Sequence, residues 1–303
     1  MTKTVLILGA NGRFGRNAAI AFENAGWTVR RFDRSKDTLR QAVHGVQVIV
    51  NAWNPQYYDW ATDVPRATED VIAAAKTVDA TVIVPGNVYV YGAGNGGTWD
   101  VTTPHLAENP LGKIRRDMEA AYRDSGVQTI ILRAGDFIDT EASGNWFDMI
   151  MAPKLAKGVF TYPGVSNIDR AWAFLPDLCR AAVMLAEKRE ALNRFEDVPY
   201  AGYTLTGDQM AARLSAVTGR KVRLKKMNWL PIRIVRPFWK LAPHLLEMRY
   251  LWDLPHRLSP SRFDALLPDF RHTPLETALA SAVPPEALLH PLDQKLMSTQ
   301  TSL

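Results

Sequence analysis

A glycine-rich segment close to the N-terminus constrains the fold of this chain more than any other feature. Residues 9–15, with the sequence GANGRFG, follow a continuous apolar run at residues 5–8 and precede a helical pattern at residues 16–25. A short apolar run closed by a glycine is typical of a strand that is buried on both faces of a parallel sheet. The segment is therefore predicted to turn the chain from a buried strand into a helix.

The three glycines of this turn have separate mechanical roles. Gly9 permits the tight bend, Gly12 lets the backbone approach a pyrophosphate, and Gly15 lets the helix and the strand pack closely. Free backbone N–H groups at the start of the helix then hold the anion. An acidic residue, Asp33, closes the second predicted strand, where such folds bind the adenosine ribose. The segment predicts a dinucleotide site, and an ordinary strand-to-helix turn is the alternative.

Two oppositely charged residues stand side by side at the predicted ribose position. Asp33 is able to accept hydrogen bonds from both ribose hydroxyls of NAD. Arg34, helped by Arg13 of the turn, is able to pair with the 2′-phosphate of NADP. Two flanking cations favour NADP, so NADP is the preferred cofactor and NAD the alternative. The alternative is that both arginines are solvated surface charges, in which case they do not favour NADP over NAD.

The rest of the N-terminal half repeats the alternation of strand and helix. β-type runs and helical patterns follow one another at residues 28–32 (strand), 46–50 (strand), 69–76 (helix), 81–84 (strand), 114–123 (helix) and 128–132 (strand). Such alternation favours parallel pairing with right-handed crossovers. We therefore predict an α/β fold built on a Rossmann-type, doubly wound parallel sheet.

The pattern changes in the C-terminal half. Beyond residue 142 the alternation weakens, proline becomes frequent, and Trp229, Trp239 and Trp252 lie among short helical patterns. This change predicts a smaller, mostly helical substrate lobe. The predicted dinucleotide-binding domain covers residues 1–165, and the lobe covers mainly residues 166–303, with segments near 170–200 that return to the sheet.

Composition excludes several classes of protein. The chain has 303 residues, a net charge of +5 at pH 7 and a pI of about 9.3, a mild excess that suits phosphate-bearing ligands and does not indicate nucleic acid. Cys179 is the only cysteine, which excludes an intrachain disulfide, and the histidines show no metal-ligand spacing. No apolar run is long enough for a membrane span. We expect a cytoplasmic protein without a metal.

Several later segments follow one another in an informative order. They are Asn51-Ala52, Asn87-Val88-Tyr89-Val90-Tyr91-Gly92, Leu132-Arg133-Ala134-Gly135-Asp136-Phe137, Arg170 with Asp177-Leu178, Tyr203-Thr204-Leu205-Thr206-Gly207, and Thr273-Pro274-Leu275-Glu276. Together with the glycine-rich turn, these segments resemble the extended and atypical branches of the short-chain dehydrogenase/reductase superfamily. That group contains nucleotide-sugar epimerases and dehydratases, and the resemblance covers nearly the whole chain.

The resemblance implies a set of cofactor-binding residues around the ends of the strands. They are Gly9, Asn11, Gly12, Arg13, Phe14, Gly15, Asp33, Arg34, Asn51, Ala52, Trp53, Pro85, Gly86, Arg115, Ala134, Gly135 and Phe137. It also implies that the Arg170 and Asp177 element closes the substrate lobe onto the sheet. A late helix is expected to start with Thr273 as its N-cap and Pro274 in its first turn.

The proton-transfer residues of the family are not preserved. In the family, a tyrosine and a lysine four residues later share one helix face, and the ammonium lowers the pKa of the phenol. Alignment on Glu119 places Leu111 at the tyrosine position and Arg115 at the lysine position, and Asn87 replaces the serine or threonine partner. Leucine cannot transfer a proton, so the protein departs from the family at its catalytic centre.

Two routes to catalysis stay open. Tyr89 or Tyr91, near the C-terminal end of a strand, is able to supply a phenol, unless both are packing aromatics. Alternatively, water or the substrate delivers the proton while Asn87 and Arg115 polarise a carbonyl. The catalytic candidates are therefore Tyr89, Asn87 and Arg115.

The helical pattern at residues 114–123 has an apolar face. Ile114, Met118, Ala121 and Tyr122 fall at helical spacing and are expected to face the sheet. The charged residues Arg115, Arg116 and Glu119 are then expected on the other sides of this helix.

Three further features have both a functional and a structural interpretation. Trp53, Tyr57, Tyr58 and Trp60 form either an aromatic wall for the substrate or part of the interface between the lobes. Residues 92–97 form either a lid or a surface connector. Residues 220–240 mix basic residues with large apolar ones and contain no acid, which fits an anionic membrane surface, an acidic substrate or an ordinary solvated face.

These observations lead to one leading hypothesis and two alternatives. The leading hypothesis is an NAD(P)-dependent oxidoreductase or epimerase that acts on a small carbonyl or hydroxyl compound with a nonstandard proton donor. The first alternative is a non-catalytic NAD(P)-binding sensor or regulator, and the second is an accessory protein on a membrane surface. A homodimer is an expected assembly of such a fold.

Overall fold

The computed structural model describes residues 3–94 and 96–288, and the first elements agree with the sequence prediction. The strands are β1 (Thr4–Leu8), β2 (Thr28–Arg31), β3 (Val48–Asn51), β4 (Thr81–Gly86), β5 (Gly97–Trp99), β6 (Thr129–Arg133), β7 (Asp136–Ile138), β8 (Val159–Tyr162), β9 (Arg170–Phe174), β10 (Phe195–Pro199), β11 (Tyr203–Leu205), β12 (Arg223–Lys226) and β13 (His256–Leu258).

Helices connect most of these strands. They are α1 (Arg13–Asn24), α2 (Leu39–Ala42), α3 (Trp60–Val78), α4 (Pro110–Asp124), α5 (Leu175–Glu187), α6 (Gly207–Thr218), α7 (Leu230–Val235), α8 (Ala242–Glu247), α9 (Ser261–Leu266) and α10 (Leu275–Ala282). Two predicted helices are longer than their patterns indicated: α3 begins before the helix predicted at 69–76, and α4 begins before the helix predicted at 114–123.

The main sheet has six strands in the order β10-β6-β4-β3-β1-β2, and all of its neighbouring strands pair in parallel. β1 lies between β2 and β3, so the connections leave β1 in opposite directions across the sheet. In open α/β sheets, ligands bind at such a switch point, outside the carboxyl ends of the strands. This topology places the glycine-rich turn after β1 beside Asn51 at the end of β3, and it confirms the predicted α/β fold.

The C-terminal half contributes to both parts of the molecule. β10 pairs with β6 at the edge of the main sheet, whereas β8 with β12, and β7 with β9 and β11, form two small separate sheets. Buried aromatic residues, among them Phe160, Tyr162 and Trp172, fill the core between these small sheets and α6. The division at residue 165 stays a prediction, and residues 289–303 of the predicted lobe lie outside the described residues.

Two local predictions, for the segment at residues 92–97 and for the start of the late helix, have different outcomes. The segment predicted as a lid or connector at 92–97 includes residue 95, which lies outside the described residues, and its end enters β5, which pairs with β13. Thr273 does not cap a helix: α10 begins at Leu275 after Pro274, and the Thr273 hydroxyl donates to Asp177 instead, at 2.7 Å.

The predicted orientation of α4 is partly wrong. Met118 and Tyr122 are buried as expected, but Ala121 is exposed, and the charged Arg115 and Glu119 are buried. The spacing of apolar residues could not predict the burial of Arg115 and Glu119, because a charged side chain is buried only where the folded chain supplies a partner for it. Glu119 finds such a partner in Arg133, and Arg115 lies against the ring of Trp60.

Candidate active site

A deep cleft of about 1510 Å³ opens at the carboxyl ends of β1, β3 and β4. One end is formed by the glycine-rich turn, and the other is formed by aromatic and aliphatic side chains of both halves of the chain. Every residue in the predicted cofactor set lines this cleft except Gly15, which packs beneath it. Asn87 and Tyr89 line it too, whereas Leu111 and Tyr91 do not.

The glycine-rich turn leaves no room for side chains at two of its positions. Gly9 has a φ of +72°, and a Cβ atom there would lie 2.8 Å from the carbonyl oxygen of Ala52. A Cβ atom on Gly15 would lie 2.2 Å from the carbonyl oxygen of Gly9. β1, β3 and α1 are therefore packed closely around the turn, which fixes the direction in which α1 begins.

The first turn of α1 offers unsatisfied hydrogen-bond donors to the cleft. Gly12 is the N-cap of this helix, and it has no side chain with which to cap the first N–H groups. A Cβ atom on Gly12 would meet only the carbonyl oxygen of Gly9, at 3.2 Å, so the cleft side of Gly12 is open. Free amides, the helix dipole and open space together fit a pyrophosphate, which is the anion that a dinucleotide would place there.

The two residues at the predicted ribose position differ in their contacts: Asp33 already has hydrogen-bonding partners, and Arg34 is exposed. Asp33 accepts hydrogen bonds from the backbone N and the hydroxyl of Ser35, at 3.0 and 2.6 Å, and its other oxygen lies 3.1 Å from the Lys36 ammonium. The Ser35 hydrogen bonds lower the pKa of Asp33 to about 2, so this carboxylate is charged. Arg34 is exposed at the cleft, whereas Arg13 donates to the Gly144 carbonyl, at 2.9 Å.

The side chain of Asn51 faces α4 at the end of β3. Its Nδ2 donates to the Tyr122 hydroxyl at 2.9 Å, and its Oδ1 accepts from the backbone N of Trp53 at 3.4 Å. Asn51 thus ties the cleft wall to α4, and the edge of the Trp53 ring meets Phe32, with ring centroids 5.5 Å apart.

The positions of the family's tyrosine, lysine and serine have distinct environments in this chain. Leu111 is buried, and its backbone N donates to Glu247 at 2.7 Å, so this position brings no proton donor to the cleft. Asn87 lines the cleft, but its Oδ1 accepts from the backbone N of Tyr89, at 2.9 Å. Asn87 therefore stabilises the turn that carries Tyr89.

Arg115 is a buried cation at the cleft wall. Its guanidinium lies 4.3 Å from the centroid of the Trp60 ring, and Nη2 donates to Asn54 at 2.8 Å. Among the described residues, no carboxylate forms an ion pair with Arg115, and its buried Nε has no hydrogen-bond partner. A buried guanidinium without an anionic partner is costly, and a negative charge on a bound ligand would relieve that cost.

A pair of phenols faces the same part of the cleft. The hydroxyl oxygens of Tyr57 and Tyr89 lie 2.6 Å apart, and both residues line the cleft. Burial raises the pKa of both phenols, that of Tyr89 well above the ordinary value, although the Arg115 charge opposes the rise. Both phenols are therefore protonated at neutral pH, a state that suits proton donation rather than proton removal.

Tyr91 belongs to a different network, behind the cleft wall. Its ring stacks on Trp99 with centroids 4.4 Å apart and lies under the Arg133 guanidinium. Arg133 is completely buried and pairs with Glu119 at 2.8 Å and with Asp197 at 2.6 Å. Tyr91 is thus a packing residue, and only Tyr89 of the two predicted phenols faces the cleft.

Folding brings three potential metal ligands together in this network, which sequence spacing did not indicate. Ligand atoms of His105, Glu119 and Asp197 lie within 4.8 Å of one another. Arg133 already donates to both carboxylates, and burial lowers the pKa of His105 to about 4. A guanidinium between the two carboxylates competes with a metal ion, so this cluster is best described as a buried ion-pair network.

Residues that are distant in the sequence complete the end of the cleft opposite the glycine-rich turn, where the substrate is proposed below to bind. Trp146, Leu245, Met248, Leu251 and Trp252 line it together with Trp60. Arg170 lies 3.6 Å from the Trp252 ring centroid and pairs with Asp136 at 2.5 Å, and it also donates to the Leu251 carbonyl. Sequence inspection missed Tyr57 as a hydrogen-bonding partner and Arg170 as a cleft residue, because no local pattern links them to the turns they meet.

Arg170 and Asp177, which were expected to close the lobe onto the sheet, do not pair with each other, and each fixes a different segment. Asp177 accepts from the backbone N of Thr273, at 2.6 Å, and from Arg180, at 2.7 Å. It thereby fixes the segment before α10 to the first turn of α5.

The chain is similar to known proteins in structure but not detectably in sequence. No protein-family model matches the chain, and no curated protein matches its sequence. Among solved structures, MoeE5 in complex with UDP-glucose and NAD has a TM-score of 0.69 and 15% identity, over 98% of this chain and 99% of MoeE5. Two further structures are similar over comparable lengths.

UDP-glucuronic acid 4-epimerase from Bacillus cereus, in complex with UDP-glucuronic acid and NAD, has a TM-score of 0.71 and 13% identity, over 92% of this chain and 97% of that one. The enzyme WbmH from Bordetella bronchiseptica, in complex with NAD+, has a TM-score of 0.68 and 17% identity, over 93% of this chain and 97% of that one. The chain therefore has the same fold as these three structures, which confirms the α/β fold predicted from the sequence.

Proposed function

We propose that this protein is an NAD(P)-dependent oxidoreductase of the extended short-chain dehydrogenase/reductase type, and that it reduces or epimerises a small carbonyl or hydroxyl compound. One observation carries the proposal. A single cleft joins an uncapped, glycine-lined helix start to a pair of hydrogen-bonded phenols beside a buried guanidinium. The first feature suits a dinucleotide, and the second suits proton transfer next to it.

The cofactor end supports NADP as the preferred form and NAD as the alternative. Arg34 is exposed at the cleft and is available to a 2′-phosphate. The Asp33 carboxylate would otherwise repel that phosphate. Lys36 pairs with this carboxylate and partly neutralises its charge, and the Ser35 hydroxyl donates a hydrogen bond to it. MoeE5, WbmH and the Bacillus cereus epimerase were solved with NAD, so the preference for NADP depends on Arg34 alone.

The substrate end supports a division of tasks among three side chains. A bound nicotinamide would supply or accept the hydride. Tyr89 donates its proton to the substrate oxygen, Tyr57 passes its own proton to Tyr89 through the hydroxyl contact of 2.6 Å, and water in the cleft returns a proton to Tyr57. Arg115 stabilises negative charge on the substrate oxygen, because its guanidinium is buried and has no carboxylate partner among the described residues. Because burial raises the pKa of both phenols, each is protonated at neutral pH, which is the state that carbonyl reduction requires of a proton donor.

Purified protein tests this proposal in two steps. Titration with NADPH and NADH, followed by nicotinamide fluorescence, tests cofactor binding, and unchanged fluorescence at saturation would contradict it. A panel of ketones, aldehydes and nucleotide sugars then tests turnover as loss of NADPH absorbance. Nucleotide sugars belong in the panel because MoeE5 was solved with UDP-glucose.

A second candidate function rests on Leu111. At the family's tyrosine position this side chain is buried outside the cleft, so the usual proton donor is missing. That loss favours a non-catalytic sensor that binds the dinucleotide and changes partners with its redox state. Tight NADPH binding without oxidation by any compound of the panel would favour this sensor over the enzyme.

A further inference from the structure

An exposed apolar and basic surface lies at the rim of the substrate end of the cleft. It consists of α7 and the residues that follow it, namely Leu230, Arg233, Ile234, Val235, Arg236, Phe238, Trp239 and Lys240. Phe238 is 91% exposed, Ile234 is 64% exposed and Leu230 is 55% exposed. Isolated exposed apolar side chains are ordinary, but five large ones within eleven residues form a patch of the kind that is typical of an interaction site.

The charge of this surface has a single sign. From residue 220 to residue 240 the chain contains eight arginines and lysines and no acid. Among the described residues, no carboxylate forms an ion pair with Arg233, Arg236 or Lys240, and Lys240 lies over the ring of Tyr58, 5.9 Å from its centroid. These three cationic side chains are therefore available to pair with negative charges on a binding partner.

Buried contacts hold this surface in a fixed position beside the cleft. Trp229, just before α7, is buried, and its Nε1 donates to the Pro163 carbonyl at 2.6 Å. Its ring lies against Trp146, a cleft residue, with centroids 5.9 Å apart. At the other end, Lys240 contacts Tyr58, the neighbour of Tyr57. The surface is thus anchored between two walls of the cleft mouth.

We propose that this surface binds the chain to an anionic lipid bilayer, with the cleft mouth next to the lipid headgroups. Phenylalanine, tryptophan and aliphatic side chains insert at the level of the headgroups, and the surrounding arginines and lysines pair with anionic lipids. Binding is peripheral: in the described part of the chain, no helix is long and apolar enough to cross a membrane. This proposal stands independently of the proposed enzyme activity, because neither lipid binding nor its test involves turnover.

The lipid-binding test uses the full chain and two kinds of vesicle. The protein is sedimented with vesicles of phosphatidylcholine alone or of phosphatidylcholine mixed with phosphatidylglycerol. We expect retention on the mixed vesicles only, and weaker retention as salt is raised. Absence of retention, or equal retention on both kinds of vesicle, would overturn the proposal.

Variants separate the two components of the surface. The triple change Arg233→Gln, Arg236→Gln and Lys240→Gln, and separately Phe238→Ser, are each expected to lower the partition coefficient on mixed vesicles by about tenfold or more. Ile20→Ser is the matched control, since Ile20 is 50% exposed on α1 and lies outside this surface. Circular dichroism checks that each variant is folded. If Phe238→Ser binds as the parent does, the surface is not the anchor.

The single cysteine of the chain allows a direct check of location. Cys179 is fully buried, so an environment-sensitive thiol probe reports an introduced cysteine. With mixed vesicles, we expect the emission of the probe to shift to the blue on Phe238→Cys and not on Ile20→Cys. A dimer in sedimentation velocity that Phe238→Ser dissociates, without any vesicle binding by the parent, would assign the surface to a second copy and overturn the proposal.

Discussion

The hydroxyl groups of Tyr57 and Tyr89 are 2.6 Å apart at the cleft wall, although 32 residues separate them in the chain. Tyr57 begins a short 3-10 turn after β3, and Tyr89 begins another after β4. Because β3 and β4 are parallel neighbours, the turns that follow them meet at the same edge of the sheet. The proposed proton donor is thus a product of sheet topology.

Loss of this phenol pair is expected to reduce turnover without reducing cofactor affinity. Tyr89→Phe should lower kcat by about 100-fold or more, as for loss of a general acid, and Tyr57→Phe should lower it less. Tyr91→Phe is the matched control, because Tyr91 lies two residues away and does not line the cleft. Steady-state kinetics with parallel NADPH titrations measure both quantities, and equal kinetics of Tyr89→Phe and the parent would reject the role.

The pH profile of carbonyl reduction follows from the raised pKa values of both phenols. Since burial raises both pKa values above 10, the donor stays protonated, and kcat should be flat from about pH 6 to about pH 9. Turnover should fall only at higher pH, as the donor loses its proton. A fall in kcat with a midpoint near neutral pH would show that a different group donates the proton.

Cofactor preference is expected to depend on Arg34. Arg34→Ala removes a charge-assisted hydrogen bond to the 2′-phosphate, which should raise the Kd for NADPH about tenfold or more and leave that for NADH almost unchanged. Arg40→Ala, an exposed arginine outside the cleft, serves as the control. Equal effects of Arg34→Ala on the two cofactors would place Arg34 among the solvated surface charges.

The turn itself is expected to tolerate no side chain at Gly15. A Cβ atom there would lie 2.2 Å from a backbone oxygen, so Gly15→Ala should lower the free energy of unfolding by about 1–3 kcal/mol and should also weaken cofactor binding. Gly94→Ala is the control, because a Cβ atom on Gly94 meets nothing within 4 Å. Urea unfolding measures the difference, and equal stabilities of the two variants would contradict the close packing of α1 on β1.

Acid is expected to destabilise the fold through two histidines, the buried His256 and the half-buried His105. Burial lowers the pKa of His105 to about 4 and that of His256 to about 3, from an ordinary value of 6.5. Between pH 6.5 and 4 the unfolded chain therefore binds protons that the folded chain does not, and stability falls as pH falls. Each histidine contributes at most about 1.4 kcal/mol per pH unit.

Urea titrations at several pH values measure this effect. His256→Phe should reduce the slope of unfolding free energy against pH in that interval, because the stacked contact with Trp99 is kept while the titrating group is removed. His44→Phe, at an exposed histidine, is the control. An unchanged slope for His256→Phe would mean that other groups cause the acid sensitivity.

Much of the fold could be predicted from the sequence, because local patterns report it. The apolar run before Gly9, the glycine spacing and the alternation of strand and helix depend on neighbours along the chain, and they determined β1, α1 and a parallel sheet. The same turn indicated which residues line one end of the cleft. The steric demand on Gly15 comes from the Gly9 carbonyl within the same turn, so the sequence alone expresses it. The close contact between Gly9 and the Ala52 carbonyl depends instead on the pairing of β1 with β3.

The end of the cleft that is proposed to bind the substrate was decided only by the tertiary structure. Tyr57 meets Tyr89, Arg170 meets Trp252, and Glu119 is buried because Arg133 on another element satisfies its charge. These contacts join residues far apart in the sequence, and no periodicity encodes them. Periodicity placed Ala121 on the sheet-facing side of α4 and Glu119 on another side, and both placements were wrong. Burial of a charge depends on partners that only the folded chain brings near.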